Sequence, residues 1–230
     1  MGADKAPTEP AEIVILGAGG MGREIREMIE RINLAGGRWH CVGFLVEAPF
    51  PAPPRVHDLP VVRGLEGLAA MPRASVVVAV GDPAGRQQVV RRIQARFGNP
   101  FATLVDPRAV CGAELAIGAG SIVAAGAVVT SDVAIGEHVI GNIGATVSHD
   151  TNLAAFVSLA PGVHLAGAVQ VGEGADLGTG CAVVPRIRVG AWATVGAGAV
   201  VTEDVPANAT VVGVPARVVR TRAPGWQVTG

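Results

Sequence analysis

Apolar residues recur at every sixth position over residues 105–201. In the column that starts at Val105, fifteen of seventeen positions are Ile, Leu or Val, and the register never slips. This period fits neither an α-helix nor an alternating strand, whose side-chain periods are 3.6 and 2 residues. It fits a coil with flat sides, in which one residue per side points inward and stacks on its equivalent in the next coil. The pattern therefore predicts a parallel β-helix built from hexapeptide repeats.

A second column, made of glycine, sets the number of sides. If three sides complete one coil, residues eighteen apart stack at the strand spacing of about 4.8 Å. One such column contains only glycine: Gly126, Gly144, Gly162, Gly180 and Gly198. Because glycine adopts positive φ at little cost, we predict a three-sided prism with these residues at one corner. The spacing itself does not decide the hand of the helix.

The residues before 106 follow a different pattern, in which short apolar runs alternate with helical periods. Strands are predicted at residues 12–16, 39–46 and 75–80, and helices at 23–33, 64–71 and 85–97. Such alternation predicts a parallel sheet with helices on its faces. The proline-rich stretch 48–60 is expected to be irregular. We predict two domains, a Rossmann-like α/β half domain over residues 1–105 and the β-helix over residues 106–230.

Composition narrows the classes of partner. The net charge of −1 argues against nucleic acid, and no apolar run approaches the ~20 residues of a membrane span. Residues 1–12 are polar, so we expect neither a signal peptide nor an anchor, and a cytoplasmic location. The cysteines Cys41, Cys111 and Cys181 are widely separated. The latter two fall in repeat columns, so we expect buried thiols there.

The first strand leads into Gly17-x-Gly19-x-x-Gly22, the dinucleotide fingerprint in both letters and context. Backbone N–H groups at the start of the following helix would hold a phosphate, and Glu47, after the second strand, would meet a ribose. A complete dinucleotide fold has six strands, whereas this region offers four or five. We therefore expect one nucleotide or a nucleotide-sugar here and not NAD. A purely structural tight turn is the alternative.

The prism contains one histidine beside a carboxylate, His149 followed by Asp150. Both fall in the turn after a hexad, so the ring is expected to face outward, and Gly167 lies eighteen residues further on. An imidazole beneath a glycine N–H suits acyl transfer, because the ring takes a proton from the attacking group while the N–H holds the oxyanion. A solvated turn histidine is the alternative.

A zinc site made of the prism histidines is disfavoured. Such a site needs three converging ligands, and His138, His149 and His164 lie at different levels and corners. We therefore expect no metal.

Taken together, several motifs resemble one family. They are Gly17-Ala-Gly-Gly-Met-Gly22, Gly43-Phe-Leu-Val-Glu47, Val78-Ala-Val-Gly81, Asn142-x6-His149-Asp150 and the closing Val212-Gly-Val-Pro-Ala-Arg217. The chain is similar over residues 12–220 to the sialic acid O-acetyltransferase and bacillosamine N-acetyltransferase family. This resemblance implies a left-handed β-helix and an acetyl-CoA-dependent transferase that acts as a homotrimer. The implied reaction is N-acetylation of a nucleotide-linked amino sugar for bacterial surface glycans.

The resemblance also implies residue roles. His149 is the general base, Asp150 the carboxylate that strengthens it, and Asn142 a residue of the substrate pocket. Cofactor contacts are implied at Gly167, whose N–H faces the thioester oxygen, and at Ser158, which occupies the position of a family histidine. The nucleotide-sugar is assigned to Gly19, Gly20, Met21, Glu47 and Gly81.

The sugar end of the match departs from the family. Met21 replaces a histidine, and Val46 with Glu47 replaces paired acids. O-acetylation of the sialic acid type, a non-catalytic nucleotide-sugar-binding protein and a structural β-helix therefore stay open as alternatives.

Overall fold

A computed structural model describes residues 10–228. The chain forms two compact units. One contains the described residues up to 79 together with residues 93–102, and the other contains residues 80–92 and those from 103 onward. Residues 80–92 thus belong with the prism, although the sequence pattern assigns all residues before 106 to the first domain.

The first unit is built on a five-stranded sheet with the order β3-β4-β2-β1-β5. Four strands are parallel, and β3 pairs antiparallel with β4. The strands are β1 (Ala11–Leu16), β2 (Trp39–Val46), β3 (Arg55–Val56), β4 (Leu59–Arg63) and β5 (Ser75–Val78). Helix α1 covers Gly20–Leu34, a 3₁₀ helix covers Leu65–Ala70, and α2, which crosses the division between the units, covers Pro83–Arg96.

The expected strands and helices of this region are present, and one element was not foreseen. The stretch predicted to be irregular, 48–60, ends in the β3–β4 hairpin. Four of its five prolines precede β3, and the fifth, Pro60, lies in β4.

The second unit contains three mainly parallel sheets, and their paired strands from β6 to β22 lie eighteen residues apart, as in Val129 paired with Val147. The six-stranded sheet contains β7 (Val110–Cys111), β10 (Val128–Val129), β13 (Thr146–Val147), β16 (His164–Leu165), β19 (Ala182–Val183) and β22 (Val200–Val201). The five-stranded sheet contains β8 (Leu115–Ile117), β11 (Val133–Ile135), β14 (Asn152–Leu153), β17 (Gln170–Val171) and β20 (Arg188–Val189).

The third sheet has eight strands and closes the prism. It contains β6 (Leu104–Val105), β9 (Ile122–Val123), β12 (Ile140–Gly141), β15 (Ser158–Leu159), β18 (Asp176–Leu177), β21 (Thr194–Val195), β23 (Ala209–Val212) and β24 (Arg217–Thr221). The last strand turns back antiparallel on β23, and a 3₁₀ turn follows at Trp226–Val228.

The core of the prism has two inward positions on each side and not one. The predicted column is buried from Val123 to Val201 except at Gly141, which is partly exposed. A second column two residues earlier is buried as well, and it includes Val157, Val163 and Cys181. Cys181 is therefore a buried thiol as expected, and burial raises its pKa to about 12. The expectation for Cys111 was wrong, because this residue lies in the first coil and is exposed.

The glycine column has the backbone conformation that its composition predicts. All five glycines have φ between 67° and 71°, the left-handed region that glycine tolerates best. The other two corners contain side chains in the same conformation, among them His138, Asp150, Phe156 and Arg186.

The outer faces of the three sheets differ in chemistry. The five-stranded sheet of the prism presents exposed Ala116, Ala134, Asn152, Gln170 and Arg188. The outer positions of the eight-stranded sheet are buried at Leu104, Ile122, Ile140 and Ser158. The six-stranded sheet presents a largely apolar and only partly buried row, with Val128, Ala182 and Val200 around the pair Thr146 and His164. Among residues 10–228, no helix is long and apolar enough to cross a bilayer.

Candidate active site

The turn between β13 and β14 presents His149 and Asp150 at one corner of the prism. Asp150 has φ 59°, which Asp tolerates better than most residues. The coil ladder fixes the turn, because the Ala168 N–H donates to the His149 carbonyl at 2.8 Å. Thr151 is buried behind the turn, so the imidazole and the carboxylate are directed outward.

The two side chains are paired, and both are accessible. His149 Nδ1 lies 2.7 Å from Asp150 Oδ2, and the side chains are 63% and 64% exposed. An ionised carboxylate only accepts hydrogen bonds, so Nδ1 donates the proton. A neutral ring in this tautomer keeps the lone pair on Nε2, which is the atom available to act as a base.

Gly167 lies directly over this ring in the next coil, as the eighteen-residue register predicts. A Cβ placed on Gly167 would lie 2.6 Å from both Cε1 and Nε2 of His149. Only glycine therefore fits above the imidazole in this position. Across residues 10–228, the Gly167 N–H has no hydrogen-bond acceptor, so a donor and a base are available at one exposed corner.

Asn142 and Ser158 lie away from this pair. Asn142 is in the turn at the other end of β13, where its Oδ1 accepts a hydrogen bond from the Ile143 N–H at 2.8 Å. Ser158 is 6% exposed, and its hydroxyl donates to the Gly81 carbonyl at 2.8 Å. This burial argues against the expected contact between Ser158 and a cofactor, because the hydroxyl is occupied inside the protein.

In the first unit, the glycine-rich turn contains two glycines that have no room for a side chain and two that face open space. A Cβ on Gly22 would lie 1.9 Å from the Gly17 carbonyl oxygen, and one on Gly17 would lie 2.9 Å from the Ala79 carbonyl oxygen. Both positions are closed to any other residue. A Cβ on Gly19 or Gly20 would meet nothing within 4 Å, so the space in front of these two residues is open.

This turn begins α1, whose first N–H groups have no partner within the helix. Its first turn contains no acidic residue, and Met21 is partly exposed there. Glu47 directly follows β2, which is the parallel neighbour of β1. Gly81 lies beyond β5 in the segment that belongs to the second unit.

Sequence reasoning missed one buried polar centre in the second unit, the Arg86 guanidinium with the Ser158 hydroxyl. A signal for it was present. Arg86 lies three and four residues before Val89 and Val90 in α2, so it shares their inward-facing side of the helix. Among residues 10–228, no three His, Cys, Asp or Glu side chains are grouped as metal ligands.

Comparisons with known proteins identify the family to which the chain is similar. The family profile of the PglD N-terminal domain matches residues 12–93. The acetyltransferase domain of PglB from Neisseria gonorrhoeae, solved in complex with acetyl coenzyme A, is 32% identical. The match covers 91% of this chain and 100% of that domain with a TM-score of 0.83. Among curated proteins, the search found no match.

Two further solved structures are similar over nearly the whole chain. PerB from Caulobacter crescentus, in complex with CoA and GDP-perosamine, is 34% identical, with coverage of 91% and 97% and a TM-score of 0.81. WeeI from Acinetobacter baumannii is 27% identical, with coverage of 90% and 100% and a TM-score of 0.80. The expected fold, a Rossmann-like half domain followed by a left-handed β-helix, is confirmed. The chain belongs to the PglD-like family of hexapeptide-repeat sugar acetyltransferases and is an acyltransferase.

Proposed function

We propose that this acyltransferase moves the acetyl group of acetyl-CoA to the amino group of a nucleotide-linked amino sugar, with His149 as the general base. The observation that carries the proposal is the corner at which His149 is hydrogen-bonded to Asp150 and lies against Gly167, whose N–H has no acceptor among residues 10–228. The similar PglB domain and PerB were solved with acetyl coenzyme A and with CoA, and this donor suits such a corner.

The chemistry follows from the positions of these atoms. The acceptor nitrogen attacks the thioester carbonyl carbon, and Nε2 of His149 takes the proton that the nitrogen loses. The carbonyl oxygen becomes an oxyanion, which the Gly167 N–H stabilises by a hydrogen bond. When the intermediate collapses, the carbon–sulfur bond breaks, and the departing thiolate of CoA takes the proton back from the imidazolium. Asp150 holds the ring in the required tautomer throughout.

The acceptor's nucleotide is assigned to the first unit. The unpaired N–H groups at the start of α1 suit a diphosphate, and the open space at Gly19 and Gly20 lets one approach. Met21 lies in the same turn, Glu47 directly follows β2, and Gly81 lies on the loop after β5. The similar PerB was solved with GDP-perosamine, which is a nucleotide-sugar. A nucleotide-linked amino sugar fits this chemistry, and a role in surface glycan synthesis would follow from such a product. Asn142 is assigned to the same acceptor, at the far end of β13.

We assign the protein to a homotrimer in which the six-stranded sheet of each chain faces the neighbouring chains. The outer row of this sheet is largely apolar and partly buried. The five-stranded sheet of the prism presents exposed side chains, among them Asn152, Gln170 and Arg188, and the outer positions of the eight-stranded sheet are buried from Leu104 to Ser158. Partly exposed apolar rows of this kind are typical of interfaces.

The test is a steady-state acetylation assay with acetyl-CoA and a panel of UDP-, GDP- and dTDP-amino sugars. His149→Ala is expected to lower kcat by about 10²–10⁴-fold and to leave the KM for acetyl-CoA nearly unchanged, because the ring acts in the transition state. Asp150→Asn is expected to lower kcat less, since the base itself remains.

His40→Ala, at an exposed histidine of β2, serves as the control and should behave as the wild type. Near-normal turnover by His149→Ala would refute its role as the base. An acetyl ester in place of an amide in the product would identify an O-acetyltransferase. Binding of the nucleotide-sugar without turnover would identify a non-catalytic sensor.

A further inference from the structure

The second unit contains a buried arginine that the chemistry at His149 does not use. Arg86 is 1% exposed, and its guanidinium donates in three directions. Nε donates to the His138 carbonyl at 2.9 Å. Nη1 donates to the carbonyls of Val80 and Gly81 at 2.7 and 2.9 Å. Nη2 donates to the Phe156 carbonyl at 2.8 Å and to Ser158 Oγ at 2.9 Å.

These bonds join one loop to two successive coils. Val80 and Gly81 belong to the loop between β5 and α2, whereas His138 and Ser158 belong to the prism. The Gly81 carbonyl is held twice, because it also accepts the hydroxyl proton of Ser158 at 2.8 Å. The next residue, Asp82, accepts the Gly85 N–H at 2.6 Å. Residues 80–82 are therefore fixed at each successive position.

Burial of the Arg86 guanidinium is unfavourable in free energy, which indicates that the arrangement has a function. A buried cation must be compensated for its lost hydration, and here the direct partners are mostly neutral carbonyls. Burial lowers the pKa of Arg86 to about 10, and the carboxylates of Asp176 and Asp82 oppose that shift. The guanidinium is still protonated at neutral pH. An apolar residue at this position would fill the space without that cost but would leave the loop carbonyls unbound.

The held loop follows β5, and ligands of open parallel sheets bind just beyond the carboxyl ends of the strands. We propose that Arg86 and Ser158 are positioning residues that fix the loop of residues 80–82 in the conformation that binds the acceptor. The proposal rests on the proposed function, which assigns Gly81 to the acceptor. It also gives Ser158 a role that differs from contact with acetyl-CoA.

The kinetic test uses Ser158→Ala, which removes one hydrogen bond to the Gly81 carbonyl and one acceptor from Arg86. The KM for the nucleotide-sugar is expected to rise about tenfold, as the loss of one such bond implies. The kcat and the KM for acetyl-CoA should stay within about twofold of the wild type, because His149 and Gly167 are untouched. Arg86→Lys, which keeps the charge but loses the forked geometry, should raise the same KM further.

Ser121→Ala is the matched control. The Ser121 hydroxyl is also fully buried in the prism, donates to the Gly136 carbonyl at 2.8 Å and accepts the Val139 N–H at 2.9 Å. It does not contact the loop of residues 80–82, so it should cost stability without changing the KM for the acceptor. A rise in acceptor KM in both variants would reduce the effect of Ser158 to general destabilisation and overturn the proposal.

Hydrogen exchange provides a readout that needs no substrate. In Ser158→Ala, amides of residues 80–85 should exchange faster while those around His149 stay protected as in the wild type. Unchanged exchange in the loop, or unchanged acceptor KM in an active Ser158→Ala enzyme, overturns the positioning role alone. A wild type that acetylates no nucleotide-sugar overturns the proposed function, and the positioning role for this acceptor falls with it. Ser158→Ala decides the matter even if Arg86→Lys does not fold.

Discussion

At the scale of single residues, the site depends on the absence of a side chain as much as on the presence of one. The imidazole of His149 occupies the volume that a β-carbon at position 167 would need. The eighteen-residue register was enough to predict this contact from the sequence, because vertical stacking in a β-helix is independent of turn details.

Gly167→Ala tests that contact. The added methyl would lie 2.6 Å from the ring atoms, so the exposed imidazole must rotate away. We expect kcat to fall by about 100-fold, as a displacement of this size implies. The thermal midpoint should change little, because the ring is free to move into solvent. Gly141→Ala is the control for a glycine substitution in the prism, and equal turnover in the two variants would contradict the geometry.

At the scale of elements, the hexad column contains one position where its side chain is missing. Gly141 lines an apolar cavity inside the prism together with Val123, Ile135, Leu153 and Leu159. Its Cβ would come no closer than 3.7 Å to the Ile122 carbonyl oxygen, which is ordinary contact. The sequence marks this position as an exception to the repeat, and the structure explains the exception as a void.

Gly141→Ala is therefore expected to stabilise the protein by about 1 kcal/mol, from the buried methyl and from the reduced freedom of the unfolded chain. The measurement is the midpoint of urea unfolding at constant slope. Gly162→Ala is the opposing control, because φ there is 68° and an alanine would be strained. Stabilisation by both substitutions would show that the cavity is not the cause.

The sequence was sufficient for elements whose residues interact at a fixed spacing and insufficient where partners are distant. The hexad, the corner glycines, β2 and the pairing of His149 with Asp150 all follow from local or periodic relations. The β3–β4 hairpin was not predicted, because the prolines before and within it are typical of irregular segments and its strands have no clear hydrophobic alternation. The exposure of Cys111 depends on where the stack of coils begins, and the burial of Ser158 depends on Arg86, 72 residues away. No period encodes such contacts.

At the scale of the whole molecule, the assembly proposed above makes a direct prediction. Three chains of 23.2 kDa should sediment together as a particle of about 70 kDa. Val128→Glu, on the outer row of the six-stranded sheet, should release monomers, because a charge buried in an apolar interface is strongly unfavourable.

Ala134→Glu is the matched control, since it places the same charge on the exposed face of the five-stranded sheet. It should leave both the mass and the turnover unchanged. A wild type that sediments as a monomer, or a loss of assembly in Ala134→Glu alone, would contradict the assigned interface.

The stacking of Gly167 on His149 also relates distance along this corner of the prism to the number of coils. Each further coil raises the same corner by about 4.8 Å, so the coils beyond Gly167 fix how long a track the corner provides for an extended ligand that starts at the imidazole. The track can be lengthened or shortened in whole coils of eighteen residues without disturbing the base, its carboxylate or the N–H above them. The catalytic residues and the length of the corner beyond them thereby lie in separate repeats of one chain. That length changes only in steps of one coil.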